Sequence, residues 1–429
     1  MLFSRRFFPY FVTQCLGALN DNVYKNVLLL MVAYASVDQL PMSINLFVNI
    51  AAAVFILPFL LFSAHAGSLA DVKDKAWLIR RIKLVELVLM LFAALAIFNQ
   101  SYLAMLFLLF LMGTQSAYFG PVKYALLPQT LKPEELVRGN AWVEVSTFLA
   151  ILCGTVGAGV LVSSDQGVGI SAGLVVLFAA IGVFASWNIP DLPADIDAHK
   201  QPRKGNWQTL KWAFQQRDIW AAITGISWFW FLGASYLTQF PNFTRLFLFS
   251  DPSVVSVLLA LFSVGIAAGS FISVRLSKGR VELGIVPLGL CGLTLFGIDF
   301  VLAIPAGVES LYQASSFVMS AEHYRLMFDL FMIGVSGGVY IVPLYSFIQS
   351  KAKASERAQV IAANNILNAL FMITSAILAI IVLQLLTWDI PTLFVILASC
   401  NLLVLLFICL RNEVFRQSAC HFWVKKPKK

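Results

Sequence analysis

Four groups of residues in the 429-residue chain have types and spacing suited to polar chemistry inside otherwise apolar runs. Asp21 and Lys25 stand four apart, flanked by Asn20, Asn22 and Asn26. On a helix they share one face. There they either form a structural ion pair or present a carboxylate and an ammonium to a ligand. Lys123 follows Gly120-Pro121 and precedes Tyr124. The proline frees backbone groups, and the lysine either reaches a phosphate or snorkels toward the membrane surface. Glu144 lies one turn past Asn140, and Asn364, Asn365 and Asn368 echo it later in the chain. These residues either line a polar site or act as glue between helices. The fourth group runs Trp228-Phe229-Trp230-Phe231, then Gly233, Tyr236, Thr238, Gln239 and Pro241. Interfacial aromatic belts account for part of it, while Tyr236, Thr238 and Gln239, set between a glycine and a proline, suit a cavity wall.

Nothing in the sequence supports catalysis. His65, His199, His323 and His421 are isolated, and none precedes Asp by five positions as in the H-x-x-x-x-D acyltransferase motif. There is no Walker loop, no G-x-S-x-G elbow and no zinc-ligand spacing. Cys15, Cys153, Cys291, Cys400, Cys409 and Cys420 are scattered and read as small buried hydrophobes. The expectation is a protein that is not an enzyme and holds no cofactor or metal.

The elements that must position these groups follow from composition. With 59% hydrophobic and only 12% charged residues, the chain is too apolar for a soluble domain, where charged residues make up about a quarter. A helical span needs about 20 apolar residues. Runs at 7–34, 44–66, 83–99, 101–128, 139–163, 168–188, 219–245, 252–275, 283–304, 324–348, 358–386 and 390–410 give twelve. The first run has the outline of a signal peptide, but Asn20, Asp21, Asn22 and Lys25 at its centre argue against a cleaved leader. The net charge of +8 at first admits a nucleic-acid partner. However, 26 of the 30 Lys and Arg fall on the N-terminus, the even-to-odd connections and the tail, only Arg245 and Arg325 on the opposite side, and Lys25 and Lys123 within runs. By the positive-inside rule both termini are cytoplasmic, and no nucleic acid is expected.

The expected organisation is a six-helix half over 1–188, a cytoplasmic linker over 189–218, a second six-helix half over 219–410 and a basic cytoplasmic tail over 411–429. Within the linker, Trp207, Leu210 and Phe214 predict one apolar side of a short surface helix. An internal repeat supports the halves. Met112-Gly113, Pro121, Tyr124, Asn140 and Glu144 recur as Ile333-Gly334, Pro343, Tyr345, Asn364 and Asn368 at offsets of 221 to 224. Six spans preserve direction, so the repeat is parallel.

Ala66-Gly67-Ser68-Leu69-Ala70-Asp71-Val72-Lys73-Asp74-Lys75, followed by Arg80-Arg81, resembles the signature between helices two and three of the major facilitator superfamily. Gly67 permits close helix approach, and Asp71 is expected to meet a facing helix N-terminus and basic neighbours. A conformational latch of Gly67, Asp71, Lys75, Arg80 and Arg81 is expected, against the plainer reading of a solvated basic loop. Its second-half counterpart, Arg275-Leu276-Ser277-Lys278-Gly279-Arg280, lacks the aspartate. Glu86, near Arg80 and Lys83, is expected in an interfacial ion pair.

Gly17 to Asn22, Gly113 to Tyr124 and Ile361 to Ala369 resemble the lysophospholipid transporter family within that superfamily. The likeness covers essentially the whole chain and is nearest the permease half of bacterial transporter–acyltransferase fusions. It implies an all-α fold of twelve transmembrane helices. It also implies flipping of lysophosphatidylethanolamine and lysophosphatidylglycerol from the outer to the inner leaflet of the bacterial inner membrane, where an acyltransferase restores the second chain. Asp21, Asn22 and Lys123 fall on the family's polar positions, while Gln239 stands where stand-alone relatives carry an arginine. Joined with the residue reading, the expected substrate-binding set is Asp21, Asn22, Lys25, Lys123, Tyr124, Glu144, Tyr236, Gln239, Asn364 and Asn368. The expected partners are the lysophospholipid substrate, membrane lipids and a separately encoded acyltransferase, with the chain itself a monomer. A proton-coupled exporter or solute permease, with Asp21 as proton carrier, and a non-transporting acyltransferase scaffold are the competing readings.

Overall fold

The computed structural model describes residues 1–35, 40–164, 166–200, 204–305 and 311–424. Pro202 and Arg203 of the linker and Lys425, Lys426, Lys428 and Lys429 of the tail lie outside the described residues. Among those described, regular structure is helical, with one isolated bridge from Ser250 to Tyr312. In chain order the helices are α1 (Phe8–Tyr34), α2 (Ile44–Val72), α3 (Lys75–Phe98), α4 (Tyr102–Thr130), α5 (Leu136–Val162), α6 (Gly167–Trp187), α7 (Asn206–Gln215), α8 (Arg217–Phe247), α9 (Pro252–Ser277), α10 (Val286–Leu302), α11 (Ala314–Met319), α12 (Tyr324–Lys351), α13 (Arg357–Ile380), α14 (Ile390–Arg411) and α15 (Glu413–Val424).

All but α7, α11 and α15 coincide with the twelve apolar runs. Among the described residues, nine helices are long and apolar enough to cross a membrane. The other three long ones, α1, α3 and α8, carry many of the charged and polar residues singled out above. The protein is an all-α, multi-pass membrane protein.

Two compact units divide the chain. The first holds Met1–Lys132, Leu149–Ala213 and Ala352–Ala369; the second holds Pro133–Phe148, Phe214–Lys351 and Leu370–Lys429. In the first, α1 and α6 enclose a core with α3 and α4 in which Tyr24, Val27, Leu28, Met90, Met105, Leu109 and Val175 are buried. The Tyr24 hydroxyl donates to the Met105 carbonyl at 2.8 Å.

Helix α3 shows how a charged sequence can still present an apolar surface. Val85, Val88, Leu91, Phe92 and Leu95 are exposed, whereas Lys83, Glu86, Met90, Ala93 and Ile97 are buried. Both sets follow the helical period, so the apolar face is turned outward and the charges inward. The helix opens at Asp74, whose carboxylate accepts from the Trp77 amide at 2.7 Å, nine residues before the apolar run. Lys83 is therefore inside the helix rather than in a connection.

The repeat is expressed as a packing contact in each unit. A Cβ on Gly113 of α4 would lie 2.7 Å from the Phe55 carbonyl of α2. At the equivalent place in α12, a Cβ on Gly334 would lie 3.0 Å from Gly265 Cα of α9. Only glycine lets these backbones touch.

Candidate substrate-binding site

In the first unit the polar residues of α1 meet α3 and α4. Asp21 Oδ2 accepts from Ser116 Oγ at 2.6 Å. The serine has one proton, and the Gln115 carbonyl is farther at 3.2 Å, so the proton belongs to Asp21. Gln115 Nε2 donates to Glu86 Oε2 at 2.8 Å, and Asn20 Nδ2 to Glu86 Oε1 at 3.5 Å. Lys83 Nζ is 2.7 Å from Glu86, with the two side chains 0% and 2% exposed. Of the two expected partners of Glu86, Lys83 pairs with it and Arg80 does not, and the pair is buried within the protein rather than interfacial. Glu86 is the centre of a buried network, because α3 begins at Lys75 and turns these charges inward. The ammonium of Lys83 also lies 5.0 Å from the Phe119 ring. A Cβ on Gly17 would approach Lys83 Nζ to 2.5 Å; the glycine makes room for the charge.

Asp21 and Lys25 share a face, yet among the described residues they form no ion pair with each other. Lys25 Nζ instead lies 5.7 Å from the Phe55 ring centroid. Asn22 packs against Gly154 of α5, and Asn26 Nδ2 donates to Thr155 Oγ1 at 3.2 Å. On α4, Ser116, Gly120 and Lys123 lie one or two turns apart and are half-buried where their neighbours are buried. They form a polar stripe on a helix of mostly apolar sequence. Lys123 Nζ lies 5.1 Å from the Tyr124 ring, and the Lys123 carbonyl accepts from the Tyr10 hydroxyl at 3.1 Å. Asn365 of α13 reaches the same stripe, because Gly120 would bring a Cβ to 2.5 Å from its Nδ2. Asn364 is fully buried, with neither amide atom hydrogen-bonded among the described residues, and Asn368 is buried one turn on.

The remaining expected residues belong to the second unit. Glu144 is fully buried in α5. Tyr236 is buried in an aromatic core, its ring 4.6 Å from that of Phe394 and near Phe240. Gln239 is half-buried on α8, and Thr238 is exposed with its hydroxyl donating back to Ala234. The aromatic run does more than furnish a belt. Trp228 Nε1 donates to Asn401 Oδ1 at 2.7 Å, and Trp230 Nε1 to the Tyr345 hydroxyl at 3.1 Å.

The loop signature also sits in the first unit. Asp71, 4% exposed, accepts from the Ala358 amide at 2.8 Å and the Gln359 amide at 3.0 Å. The carboxylate caps the first turn of α13 from another helix, where a negative charge is favoured. Gly67 lies against the same turn, where a Cβ would come within 2.6 Å of the Ala362 side chain and 2.9 Å of the Ala358 carbonyl. Lys75 is buried beside them. Arg80 turns away to the Ile189 carbonyl at 2.7 Å and Asp191 at 2.9 Å, and Arg81 stacks on Trp77. Sequence reasoning missed three participants: Ser68 Oγ donates to Gln359 Oε1 at 2.8 Å, and Gln359 Nε2 donates to Thr209 Oγ1 of α7 at 2.6 Å. In the second unit Asn140 and Gln349 exchange paired amide hydrogen bonds at 2.8 and 2.9 Å.

The family model of the Major Facilitator Superfamily matches residues 10–376. The chain belongs to this superfamily. Its curated relatives include the protein named lysophospholipid transporter LplT of Yersinia enterocolitica serotype O:8 / biotype 1B, 29% identical over 252 residues, 57% of each chain. Its namesake from Yersinia pestis strain Pestoides F is 28% identical over 250 residues, again 57% of each. The chain thus spans just over half the length of the curated relatives it matches. Among solved structures, the human organic anion transporter MFSD10 superposes with a TM-score of 0.73 at 15% identity, covering 94% of this chain and 99% of that one. The E. coli fucose:proton symporter gives 0.69 at 11% identity, covering 96% and 100%. Both show the superfamily fold.

Proposed function

We propose that the protein moves lysophospholipids, chiefly lysophosphatidylethanolamine and lysophosphatidylglycerol, from the outer to the inner leaflet of a bacterial inner membrane by alternating access. The chain lies there with both termini cytoplasmic and works as a monomer, and a separately encoded acyltransferase then restores the second acyl chain. The kinship to proteins named lysophospholipid transporters supports the substrate class. The observation that carries the reading is the polar surface of α1 and α4, which presents the Asp21 carboxylate, held by Ser116, and the Lys123 ammonium. A lysolipid head group carries a phosphate for Lys123 and, in the ethanolamine form, an amine for Asp21. A single acyl chain stays among apolar side chains, where its burial costs nothing.

Leaflet transport by the purified protein in proteoliposomes tests this, with head group and acyl-chain number varied. Lysophospholipids should move and diacyl lipids should not, and Asp21→Asn or Lys123→Ala should cut transport about tenfold or more, the loss of one charged hydrogen bond. Normal transport by both variants refutes the residue roles. Flux driven by a pH gradient, with lysolipids failing to compete, refutes the substrate.

A further inference from the structure

The linker helix α7 has two unlike faces. Thr209, Leu210 and Ala213 are buried, so of the three apolar residues expected on one side only Leu210 is covered, while Trp207 and Phe214 are exposed. Outward lie Trp207, 78% exposed, Lys211 one turn on, and Phe214. Lys204, just before the helix, holds its ammonium 4.5 Å from the Trp212 ring. From Lys204 to Arg217 there is no acidic residue.

The depth of this helix is fixed by Asn206. Its Nδ2 donates to the carbonyls of Leu60 and Leu61 at 2.6 and 2.9 Å, and its Oδ1 accepts from the Ala64 amide at 3.1 Å. The side chain therefore sits on the very groups of α2 that pair with each other in an unbroken helix. Ala64, the last of these groups, lies two residues inside the end of the second apolar run at 66. Leu57 and Leu61 at that level are exposed, as lipid-facing residues of a membrane span are. Trp207 is thus held beside the outward, apolar surface of a span, with lysines close by in the chain. Exposed Trp and Phe with Lys, and no acid, form the complement of an anionic bilayer surface: rings at the head-group level and ammonium groups on the phosphates.

We propose that α7 docks on an anionic lipid surface through Trp207 and Lys211, and that this docking strengthens the α2–α13 contact through Asn206 and Thr209. The link is short. Asn206 holds α2, Thr209 holds the Gln359 side chain, and the Gln359 amide is held by Asp71.

Hydrogen exchange of the full-length protein in nanodiscs of phosphatidylcholine alone, and of phosphatidylcholine with phosphatidylglycerol, decides it. The amides of 206–216 report docking, and those of Ala358 and Gln359 report the contact, since both donate to Asp71. With the anionic lipid, 206–216 should exchange about fivefold more slowly per engaged lysine, and Ala358 and Gln359 should slow with it. Trp207→Ala and Lys211→Gln, both on the exposed face, should abolish the lipid effect in an intact fold, while Lys211→Arg keeps it. Thr209→Ala should leave the effect on 206–216 and remove it from Ala358 and Gln359. Exchange of 206–216 that ignores lipid charge overturns the docking, including the case in which this face serves a protein partner instead. A lipid effect on 206–216 that never reaches Ala358 and Gln359 overturns the transmission. The experiment contains no lysolipid, so its result is independent of the transported substrate.

Discussion

Replacing Asp71 tests whether the loop signature is held by geometry or by general charge. Its two oxygens serve two amides, Ala358 at 2.8 Å and Gln359 at 3.0 Å, on a helix whose first turn it closes. A hydrogen bond to a charged acceptor contributes about 1.5–3 kcal/mol, so Asp71→Ala should weaken the contact by ~3–6 kcal/mol. Asp71→Asn keeps one carbonyl oxygen, able to hold one amide without the charge, and should lose about half of that. At about 1.4 kcal/mol per tenfold, local opening at Ala358 and Gln359 should rise roughly tenfold to a hundredfold in the Asn variant, and well over a hundredfold in the Ala variant. Hydrogen exchange resolved to these two amides measures it, with amides at Tyr24 and Leu28 in the core of the same unit as the internal reference. Unchanged exchange in Asp71→Ala refutes the cap. Equal effects of Asn and Ala would mean that charge alone, and not the paired geometry, holds the contact.

The buried Lys83–Glu86 pair predicts a lopsided mutant cycle. Lys83→Met or Glu86→Gln alone should cost about 3–5 kcal/mol of stability by stranding a charge or an unmet donor, whereas Lys83→Met with Glu86→Gln, which keeps a side-chain oxygen for Gln115 and Asn20, should recover most of it, as read by denaturant unfolding in detergent. The repeated glycine contact predicts that Gly113→Val and Gly334→Val each lower the unfolding temperature, since overpacking costs about 1–3 kcal/mol and backbone atoms stand in the way. Gly173→Ala on α6, with open space around it, should leave that temperature unchanged or raise it.

The spans were legible because apolar runs of this length have one use in a membrane, and each long helix falls on a run. The ends were less so. A hydropathy boundary at Lys83 marks where apolar residues become continuous, but α3 starts at the Asp74 cap and carries Arg80, Arg81 and Lys83 within it. This is why Glu86 looked interfacial. Asp71 announced a helix N-terminus by its place after Gly67 in a charged turn. Its partners could not be announced: Gln359 is 288 residues away, and nothing in the linker marks Asn206 or Thr209 as the groups that bridge α2 and α13. Lys25 marks the limit of spacing as a guide. Spacing of four shows a shared face, but whether side chains join depends on competing neighbours, and Ser116 reaches Asp21 from α4.

One consequence of the Asp71 contact concerns hydration. The first turn of α13 is completed by an acceptor from a different helix, so the contact cannot part unless solvent arrives to take over two amides and a carboxylate. Separation there is a wetting event. Its rate should follow water activity, slowing under osmotic stress, and any conformational change that opens this contact would inherit the same dependence.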